Sequence, residues 1–580
     1  MIGTRSKKII YFVYCAVFFV AALIPAIMTP FAPGVVDRDT VAGLDADVAS
    51  GEDVDDGGNG DSSGDVEGGL AGETNRVRNG IKNFSDFSAR FGLRDQFIAL
   101  DAKLRSGLFN ESANEKIVIG KDGWLFLAET LDWSTVANKT LEITAARIAR
   151  TLWLEWEYIK KNGAEFIFMP VPNKARVYSD YLPYYNQRPG RDGSVLLDLV
   201  QERLSALDVV SVDLTGLFAR LRVDNPDTLY YHRLDTHWTN AGAIEAYRML
   251  MAEFESAAEG GFAYNSYIDF TPRSEADWAG DLDRMLNPLS ERMDTQIYYD
   301  IINEYRSRKP IVNLEEMNIE STAGINDMRV LFFRDSFANA LIQFFSNNLG
   351  KATYTRSMPF PLWRVEDGAY DFVVVEIVER NLGWITDAAP DMPAPLRLRS
   401  PAGDWDMDGG VDDEGEGISV IEGVNENVGA DADIENLYGA WKAAQPLPEG
   451  AVVADYPETL PEAGQIAGLK VSGCFDPSFL SVERELRVYP VIEKNGGETL
   501  LFEAFPILTP EMREIARKTW GSNVATEPEI NDEGFVFLIN DLDLSEGDYI
   551  IRVLLVSQNK ANDRGIIWSG ISEPLFSYTK

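Results

Sequence analysis

The sequence predicts an α/β domain whose parallel sheet is flanked by helices, preceded by one transmembrane helix and followed by an all-β, sandwich-like module. Strand-length apolar runs alternate with helix-length amphipathic patterns between residues 140 and 378, which is typical of parallel βα units. After residue 461 only strand patterns separated by turn residues remain, and an almost uncharged apolar run lies near the N-terminus. A chain of 580 residues has room for several such units, at roughly 150 residues per domain.

The apolar run from Ile9 to about Met28 follows three basic residues. Roughly twenty helical residues, at about 1.5 Å each, span about 30 Å, which is the hydrocarbon thickness of a bilayer. Basic residues on that flank keep it cytoplasmic. We therefore expect a cytoplasmic tail (1–8), a transmembrane signal-anchor (9–29) and an extracytoplasmic remainder, periplasmic or extracellular. A cleaved signal peptide is the alternative, although its apolar region usually has only about 7–15 residues.

The net charge of −39 is concentrated in two segments. Residues 33–75 carry −11 and residues 401–436 carry −12, which leaves −16 on the rest of the chain. Nucleic acid and anionic membrane surfaces repel a polyanion, so we expect neither as the main partner. We interpret residues 30–80 as an acidic, Gly/Asp-rich disordered spacer and residues 396–460 as an acidic linker.

Cysteine and histidine are scarce. The two cysteines are Cys15, in the N-terminal apolar run, and Cys474, so the chain has no disulfide framework, Cys-based zinc site or CxxC motif. The two histidines, His232 and His237, are five residues apart. Any histidine chemistry must therefore take place in that segment.

The predicted α/β domain spans residues 81–395. It opens with an amphipathic helix that includes Leu93–Leu104, followed by short strands at 117–120 and 124–128. Further helices are predicted at 141–160, 194–207, 240–256 and 337–347, and further strands at 165–172, 209–214, 329–333 and 372–378. Residues 259–325 lack this alternation, and we interpret them as an insertion.

The predicted β module spans residues 461–580. Its strand patterns include RELRVYPVIEK and GDYIIRVLLVSQ, and Asn495-Gly496-Gly497 is a plausible hairpin turn. Several short strands without intervening helical patterns favour a small β-sandwich.

Three polar segments lie at predicted strand-to-helix connections: residues 171–174, 230–240 and 334–337. Sites in parallel sheets form at the carboxyl ends of the strands, so we expect these segments to meet. A serine hydroxyl needs a base with a pKa near neutrality, and the base needs a carboxylate that orients it. Ser336, His237 and Asp235 have these residue types. The alternatives are a helix-capping serine and a core or capping histidine.

Five motifs together resemble a known family: GKDGWLF (120–126), VPNK (171–174), LDTHWT (234–239), FRDSF (333–337) and VVVEIVERNL (373–382). Over residues 84–385 the chain resembles the SGNH-hydrolase-like polysaccharide O-acetyltransferases of the alginate type, the AlgX/AlgJ group, also called DHHW proteins. The resemblance implies an SGNH-hydrolase-like fold and transfer of acetyl groups onto hydroxyls of a cell-surface or exported polysaccharide. It also implies that Ser336 is the nucleophile, His237 the general acid/base and Asp235 its orienting carboxylate.

The resemblance further implies the partners of the reaction. Acetyl would reach Ser336 from a membrane-bound O-acyltransferase or another activated donor, and the acceptor would be a polysaccharide. No cofactor is expected. Thr236 separates Asp235 from His237, so the motif is Asp-x-His and departs from the literal spelling of the family name. The acidic linker and the β module lie outside the resemblance, which leaves the acceptor open.

Other residues near these motifs are candidates for secondary roles: Arg334, Lys174, Arg356 and Trp238 for substrate binding or oxyanion support. For the cations the alternative is an ion pair with a neighbouring carboxylate, and for Trp238 it is core packing. Asp404, Asp406 and Asp408 match the opening of a calcium loop, but Gly415 occupies its twelfth position. A solvated linker is the favoured interpretation, and calcium is the alternative.

Two other functions use the same features. An acetyl-esterase would have the same Ser-His-Asp triad with water as the acceptor. A non-catalytic polysaccharide-binding or scaffold protein would use the β module as its surface. The sequence does not determine the polysaccharide, the hydroxyl that is acetylated or the oligomeric state.

Overall fold

The computed structural model describes residues 94–109, 112–131, 138–183, 196–258, 261–307, 311, 313–400, 430–455, 458–460, 468–479, 484–495, 497–507, 509–520, 534–540, 543–559 and 566–580. The predicted tail, anchor and spacer (1–8, 9–29 and 30–80) lie outside these residues, as does the candidate calcium loop at Asp404, Asp406 and Asp408. Within the described part of the chain, no helix is both long enough and apolar enough to cross a bilayer.

The described helices are α1 Arg94–Phe109, α2 Asn138–Lys161, α3 Lys174–Val177, α4 Leu196–Ala206, α5 Leu214–Asp224, α6 Asn240–Ala257, α7 Asp281–Leu286, α8 Ile342–Asn348, α9 Ala430–Ala443 and α10 Pro510–Trp520. The first strands are β1 Ile117–Ile119, β2 Leu125–Leu127, β3 Glu165–Val171, β4 Arg273–Trp278, β5 Asp294–Tyr298, β6 Arg306–Ser307, β7 Asn318–Thr322, β8 Arg329–Phe333, β9 Lys351–Thr355 and β10 Phe372–Val378. The later strands are β11 Leu396–Ser400, β12 Gln445–Pro446, β13 Val452–Ala454, β14 Glu458–Leu460, β15 Gly468–Phe475, β16 Arg484–Lys494, β17 Thr499–Phe502, β18 Gly534–Asn540, β19 Asp548–Asn559, β20 Ile566–Ile571 and β21 Phe576–Thr579.

The central sheet has the strand order β3-β10-β8-β9-β7-β6. Its first four strands are parallel, which confirms the predicted parallel sheet, whereas β7 and β6 are added antiparallel at one edge. Successive residues of β10 face opposite sides: Phe372 and Val374 join one apolar core, and Val373 and Val375 join the other. Burial on both faces explains why the strand is a continuous apolar run.

Helices cover both faces of this sheet. Residues of α5, α6 and α8 pack in the first core, and residues of α2 and α4 pack in the second. The helix predicted at 337–347 is divided into a short 3₁₀ turn, Phe337–Ala340, followed by α8.

The strand predicted at 209–214 is wrong in extent. Only Ser211 pairs with β3, through a single parallel bridge to Phe168. Asp208 has φ of 56°, which turns the chain just before the segment, and Asp213 caps α5 by accepting a hydrogen bond from the Gly216 N–H at 2.8 Å. The turn and the cap leave too few extended residues for a ladder.

The predicted insertion, 259–325, contributes to the sheet and to the loop that precedes α6. Its strand β7 pairs with β9, and β6 pairs with β7. At Gly280 the insertion backbone approaches the loop so closely that an added Cβ would lie 2.2 Å from the Leu234 carbonyl oxygen. A side chain at this position would therefore separate the two segments.

The C-terminal region contains two sheets that pack as a sandwich. One has the order β11-β17-β16-β19-β20-β12, with β21 paired to β19, and the other contains β13, β15, β14 and β18. Apolar residues of both sheets share one core, including Val471, Phe537, Ile492 and Val553. The predicted sandwich-like packing is therefore present in the described residues.

Several elements differ from the prediction of an acidic linker and an all-β module. Strand β11 and helix α9 lie in the segment expected to be linker, and α10 is a helix within the β region. The physical reason is that the larger sheet is apolar on both faces. Leu554 and Val556 of β19 point away from the sandwich core, and α9 covers them with Leu437 and Ala440.

A buried charge cluster joins this C-terminal region to α2. Glu503, which follows β17, accepts hydrogen bonds from Arg150 Nε of α2 and Arg397 Nε of β11, each at 2.8 Å. Arg397 also forms a bidentate pair with Glu157 of α2, at 2.5 and 2.6 Å. Burial alone would raise the pKa of Glu503, but the charges of Arg150 and Arg397 lower it to about 2.

Replacement of Glu503 by alanine should destabilise the protein strongly, because it leaves the buried Arg150 guanidinium without its counter-charge and leaves Arg397 with Glu157 as its one remaining carboxylate partner among the described residues. We expect the free energy of unfolding to fall by about 3–5 kcal/mol. Urea unfolding of Glu503→Ala at pH 7 measures this loss. Glu498→Ala, which removes the more exposed pair with Arg399, should cost less than about 1 kcal/mol.

The same cluster predicts a pH dependence with a defined sign. The pKa of Glu503 is lower in the folded state, so its stabilisation is present above about pH 4.5 and is lost as pH falls towards 2. The difference in stability between wild type and Glu503→Ala should shrink over that interval. A difference that stayed constant from pH 7 to pH 3 would contradict this account.

Candidate active site

The three predicted polar segments meet at the carboxyl edge of the central sheet. Ser336 follows β8, Lys174 follows β3, and the segment 230–239 forms a loop directly before α6. This loop is closed on itself, because Tyr231 bridges Trp238 and the His232 N–H donates to the His237 carbonyl at 3.1 Å. The side chain of Thr239 then caps α6.

His237 lies between Ser336 and Asp235. Its Nδ1 is 2.7 Å from Asp235 Oδ1, and its Nε2 is 2.8 Å from Ser336 Oγ. A carboxylate can only accept, so Nδ1 carries the proton and Nε2 is free to accept the serine proton. The structure therefore brings the predicted serine, histidine and aspartate into one continuous hydrogen-bonded chain.

Hydrogen bonds surround the carboxylate of Asp235, which is 3% exposed. Oδ1 also accepts from the His237 backbone N–H at 2.9 Å, and Oδ2 accepts from Trp278 Nε1 and the Asp281 N–H, each at 3.0 Å. Burial alone would raise the pKa of Asp235, but the hydrogen bonds and the charge of His237 lower it well below its usual range. Asp235 is ionised at neutral pH.

The imidazole of His237 is more basic than an isolated histidine. Burial lowers its pKa, but the hydrogen bond and charge of Asp235 and the charge of Asp281 outweigh burial and raise the pKa above its usual value. Arg380 acts in the opposite direction. The side chain of His237 is 27% exposed, so the ring is accessible from solvent.

The turn that carries Ser336 is held by the preceding residue. Asp335 Oδ1 accepts from the Phe337 N–H at 2.8 Å, and Oδ2 accepts from the Val378 N–H at 2.9 Å and from Asn381 Nδ2 at 3.1 Å. These bonds tie the end of β8 to the end of β10. The position of the serine is thereby coupled to the sheet.

Lys174 supports the loop, which corrects its predicted role in substrate binding. Its ammonium group is buried and donates to the backbone carbonyls of His232, Arg233 and Asp235 at 3.1, 3.3 and 2.6 Å. Burial lowers the pKa of Lys174 to about 7. Because three carbonyls occupy its three donors, the ammonium group has no proton left for a ligand.

The other secondary candidates are also engaged within the protein. Trp238 is 2% exposed and donates from Nε1 to the Phe337 carbonyl at 2.9 Å, so it is a core residue and presents no face to a sugar. Arg334 is buried and donates to the carbonyls of Leu314 and Glu316. Arg356 forms the ion pair that was its alternative, with Glu315.

Two residues at the site lie outside every motif that the sequence analysis used. Trp278 and Asp281 belong to the insertion and contact the carboxylate of Asp235. Trp278 also stacks on His232, with ring centroids 4.9 Å apart and planes 3° apart. Burial lowers the pKa of His232 to about 4, so His232 is a neutral core residue. The pair Gly280-Asp281 at the start of a helix is the one sequence pattern that could have indicated Asp281 as a site residue.

Asp235, His237 and Asp281 have ligand atoms within 4.8 Å of one another, the one such set among the described residues. Their geometry does not fit a metal centre. The Nδ1 of His237 faces a carboxylate at 2.7 Å, and Asp281 Oδ2 accepts the Thr236 hydroxyl at 2.6 Å. The atoms that would bind a metal are therefore already hydrogen-bonded within the protein, an arrangement suited to proton transfer.

Comparison with known proteins confirms the resemblance seen in the motifs. Residues 117–316 match the family model described as "SGNH hydrolase-like domain, acetyltransferase AlgX". This segment contains Asp235 and His237 and ends before Ser336. Over 154 residues the chain is 30% identical to the probable alginate O-acetylase AlgJ of Pseudomonas aeruginosa, a match covering 26% of this chain and 36% of that protein.

Two solved structures are similar to part of the chain. The O-acetyltransferase domain of Pseudomonas putida AlgJ is 20% identical with a TM-score of 0.32, covering 46% of this chain and 92% of that domain. Bacillus cereus PatB1 with a sulfonyl adduct is 18% identical with a TM-score of 0.37, covering 46% and 95%. Scores this low do not by themselves define a shared fold. The chain spans well under half of the curated relatives it matches.

Replacement of Asp235 by asparagine should preserve the fold and disable the histidine. Without the carboxylate, the imidazole loses the partner that fixes its tautomer and stabilises its cation, so the rate of a Ser336-dependent reaction should fall by about 10²–10⁴. The pKa of His237 should also fall, which moves the acid limb of the residual activity to lower pH. Hydrolysis of 4-nitrophenyl acetate between pH 5 and 9 measures both effects.

Asp371→Asn is the matched control, because Asp371 precedes β10 at the opposite edge of the sheet and pairs with Arg329. It should leave both the rate and the acid limb unchanged. An Asp235→Asn protein with the wild-type rate and acid limb would exclude this carboxylate from the chemistry.

Proposed function

We propose that this chain, with its AlgX-type SGNH hydrolase-like domain, is an extracytoplasmic O-acetyltransferase that acetylates a polysaccharide through a Ser336 acyl-enzyme. The observation that carries the proposal is the hydrogen-bonded chain Asp235–His237–Ser336, with its distances of 2.7 and 2.8 Å. An oriented base on a serine is the arrangement that acyl transfer requires.

In the first step, Ser336 Oγ attacks the carbonyl carbon of the acetyl donor while His237 Nε2 takes the hydroxyl proton. The ionised Asp235 stabilises the imidazolium that forms. The tetrahedral intermediate collapses as its bond to the donor oxygen breaks, and His237 returns the proton to that leaving group. The product of this step is acetyl-Ser336.

In the second step, a sugar hydroxyl attacks the acetyl carbonyl of acetyl-Ser336. The neutral His237 accepts the proton of the sugar hydroxyl and then returns it to Ser336 Oγ as the ester bond to serine breaks. The acetyl group is now an ester of the sugar, and the enzyme is restored. An esterase would differ only in using water in place of the sugar.

Negative charge develops on the carbonyl oxygen in both steps. The guanidinium of Arg380 lies over the ring of Phe337, with its central carbon 5.3 Å from the ring centroid. It makes no hydrogen bond or ion pair with the residues that the structure describes. We assign Arg380 to electrostatic support of the oxyanion, a role for which the sequence also offers Arg334, Lys174 and Arg356.

The acetyl donor is proposed to be a membrane-bound O-acyltransferase, because an extracytoplasmic domain has no access to cytoplasmic acetyl-CoA. A single N-terminal helix, residues 9–29, would hold the domain at the membrane. The spacer of about 50 residues would extend roughly 35–40 Å as a flexible coil. Polymer that remained acetylated after deletion of that acyltransferase would contradict the partnership.

Acetyl transfer to a glycan tests the proposed function directly. The ectodomain is incubated with 4-nitrophenyl acetate, with and without an alginate oligosaccharide, which is the polymer named in the relatives. We expect one acetyl group on Ser336 by peptide mass spectrometry, and acetylated oligosaccharide when the acceptor is present. Ser336→Ala should reduce transfer at least about 10³-fold.

The outcomes separate the candidate functions. Free acetate without acetylated sugar would favour the esterase over the transferase for this acceptor. Ser346→Ala is the matched control, because Ser346 is a buried serine of α8 bonded to Tyr354 and lies outside the triad. An unlabelled wild type, or a Ser336→Ala protein with full transfer, would overturn the proposed function.

A further inference from the structure

Asp281 is a second carboxylate beside the catalytic imidazole, and the insertion supplies it. It is the first residue of α7. Its Oδ1 accepts from the Thr236 N–H at 2.8 Å, and its Oδ2 accepts from the Thr236 hydroxyl at 2.6 Å. Its own backbone N–H donates to Asp235 Oδ2 at 3.0 Å. One residue therefore holds two of the three members of the Asp235–Thr236–His237 sequence.

Both carboxylates lie on the same side of the imidazole ring. His237 Nδ1 is 2.7 Å from Asp235 Oδ1 and 3.9 Å from Asp281 Oδ2. The hydroxyl of Thr236 is 3.2 Å from His237 Nδ1 and 2.6 Å from Asp281 Oδ2, so it connects the ring to Asp281. Since this hydroxyl donates its proton to Asp281, its oxygen presents a lone pair towards the N–H of the ring.

We propose that Asp281 is a positioning residue that fixes the Asp235–His237 loop and adds a second negative charge to the Nδ1 side of the catalytic imidazole. Its catalytic meaning rests on the proposed function. Asp281 touches neither Ser336 nor the reacting atoms in this arrangement, and it acts through Thr236, Asp235 and His237.

Charges from several elements face His237, and they oppose one another. Asp235 and Asp281 favour the imidazolium, and Arg380 of the segment after β10 disfavours it, whereas His232 of the same loop is neutral. Lys174 contributes positive charge behind the loop, where it binds the Asp235 carbonyl. Asp281 is therefore one of two negative groups that offset these cations.

The side chain of Asp281 is 38% exposed, so solvent screens its charge. A unit charge about 4 Å from the ring near a protein surface, reduced by this screening, should move the pKa of His237 by about half to one unit. Loss of the charge lowers the pKa. A neutral substitution should therefore extend the acid limb of activity to lower pH, while the hydrogen bonds to Thr236 that remain limit the loss of rate.

The chain contains only two histidines, so NMR titration of the imidazole signals measures the pKa of His237 with a simple assignment. In Asp281→Asn we expect this pKa to fall by about half to one unit. Asp281→Ser is the second variant, because it also removes the charge and retains an acceptor oxygen. Asp277→Asn is the matched control: Asp277 lies in the same insertion, is exposed and binds the Tyr298 hydroxyl. The control should leave the pKa unchanged.

Activity supplies a second, independent readout. The acid limb of kcat/KM in Asp281→Asn should shift by the same amount as the NMR pKa, and kcat should fall less than about 10-fold. An NMR pKa within 0.2 units of wild type in both Asp281 variants would overturn the inference. If the wild type transferred no acetyl group but the pKa still shifted, the proposed function would fail while the position of Asp281 would stand.

Discussion

The site depends on one requirement: a carboxylate buried beside an imidazole must have its oxygens satisfied before it can act. Asp235 receives two N–H groups from His237, one from Trp278 and one from Asp281. An ionised carboxylate without these donors would be costly to bury and would take up a proton instead. Once it is held as an anion in a fixed orientation, it determines the tautomer of His237 and hence which ring nitrogen faces Ser336.

The loop that carries this carboxylate is held by two separate parts of the chain. Lys174, at the end of β3, binds three of its backbone carbonyls, and the insertion binds its N–H groups and side chains through Asp281 and Asp294. The backbone carbonyls of the loop bind a cation and its N–H groups bind carboxylates, so these groups are matched in sign. The sheet supplies the third fixed point, because Asp335 ties the turn of Ser336 to β10. A geometry held by three separate elements keeps the catalytic side chains in fixed positions.

Much of this arrangement could be predicted from residue patterns, and the rest required the folded chain. The parallel strands were predictable because β8 and β10 are buried on both faces, which leaves continuous apolar runs. The residues of the triad were predictable from the motifs that resemble the AlgX/AlgJ group, whereas the residue types alone left a capping serine and a core or capping histidine as alternatives. The segment 209–214 has the composition of a strand but lacks the length, since a left-handed turn and a helix cap bound it. Asp281 and Trp278 could not be predicted, because their roles arise from an insertion that returns to the site, and no local pattern records that contact. The sequence places Lys174 correctly at the site but does not predict its role. Its buried ammonium group binds backbone carbonyls of the loop and does not face a substrate.

The central claim is that Ser336 is activated by His237 within this loop, and covalent labelling across pH tests it most directly. The protein is treated with a sulfonyl fluoride, and the modified residue is identified by peptide mass spectrometry. The second-order rate is measured from about pH 5 to 9 beside the NMR titration of His237. The account predicts a single adduct on Ser336, whose rate rises with pH at the pKa of the His237 imidazole, above the ordinary value of about 6.5. An adduct on another residue, or a rate on Ser336 that does not follow the titration of His237, would contradict it.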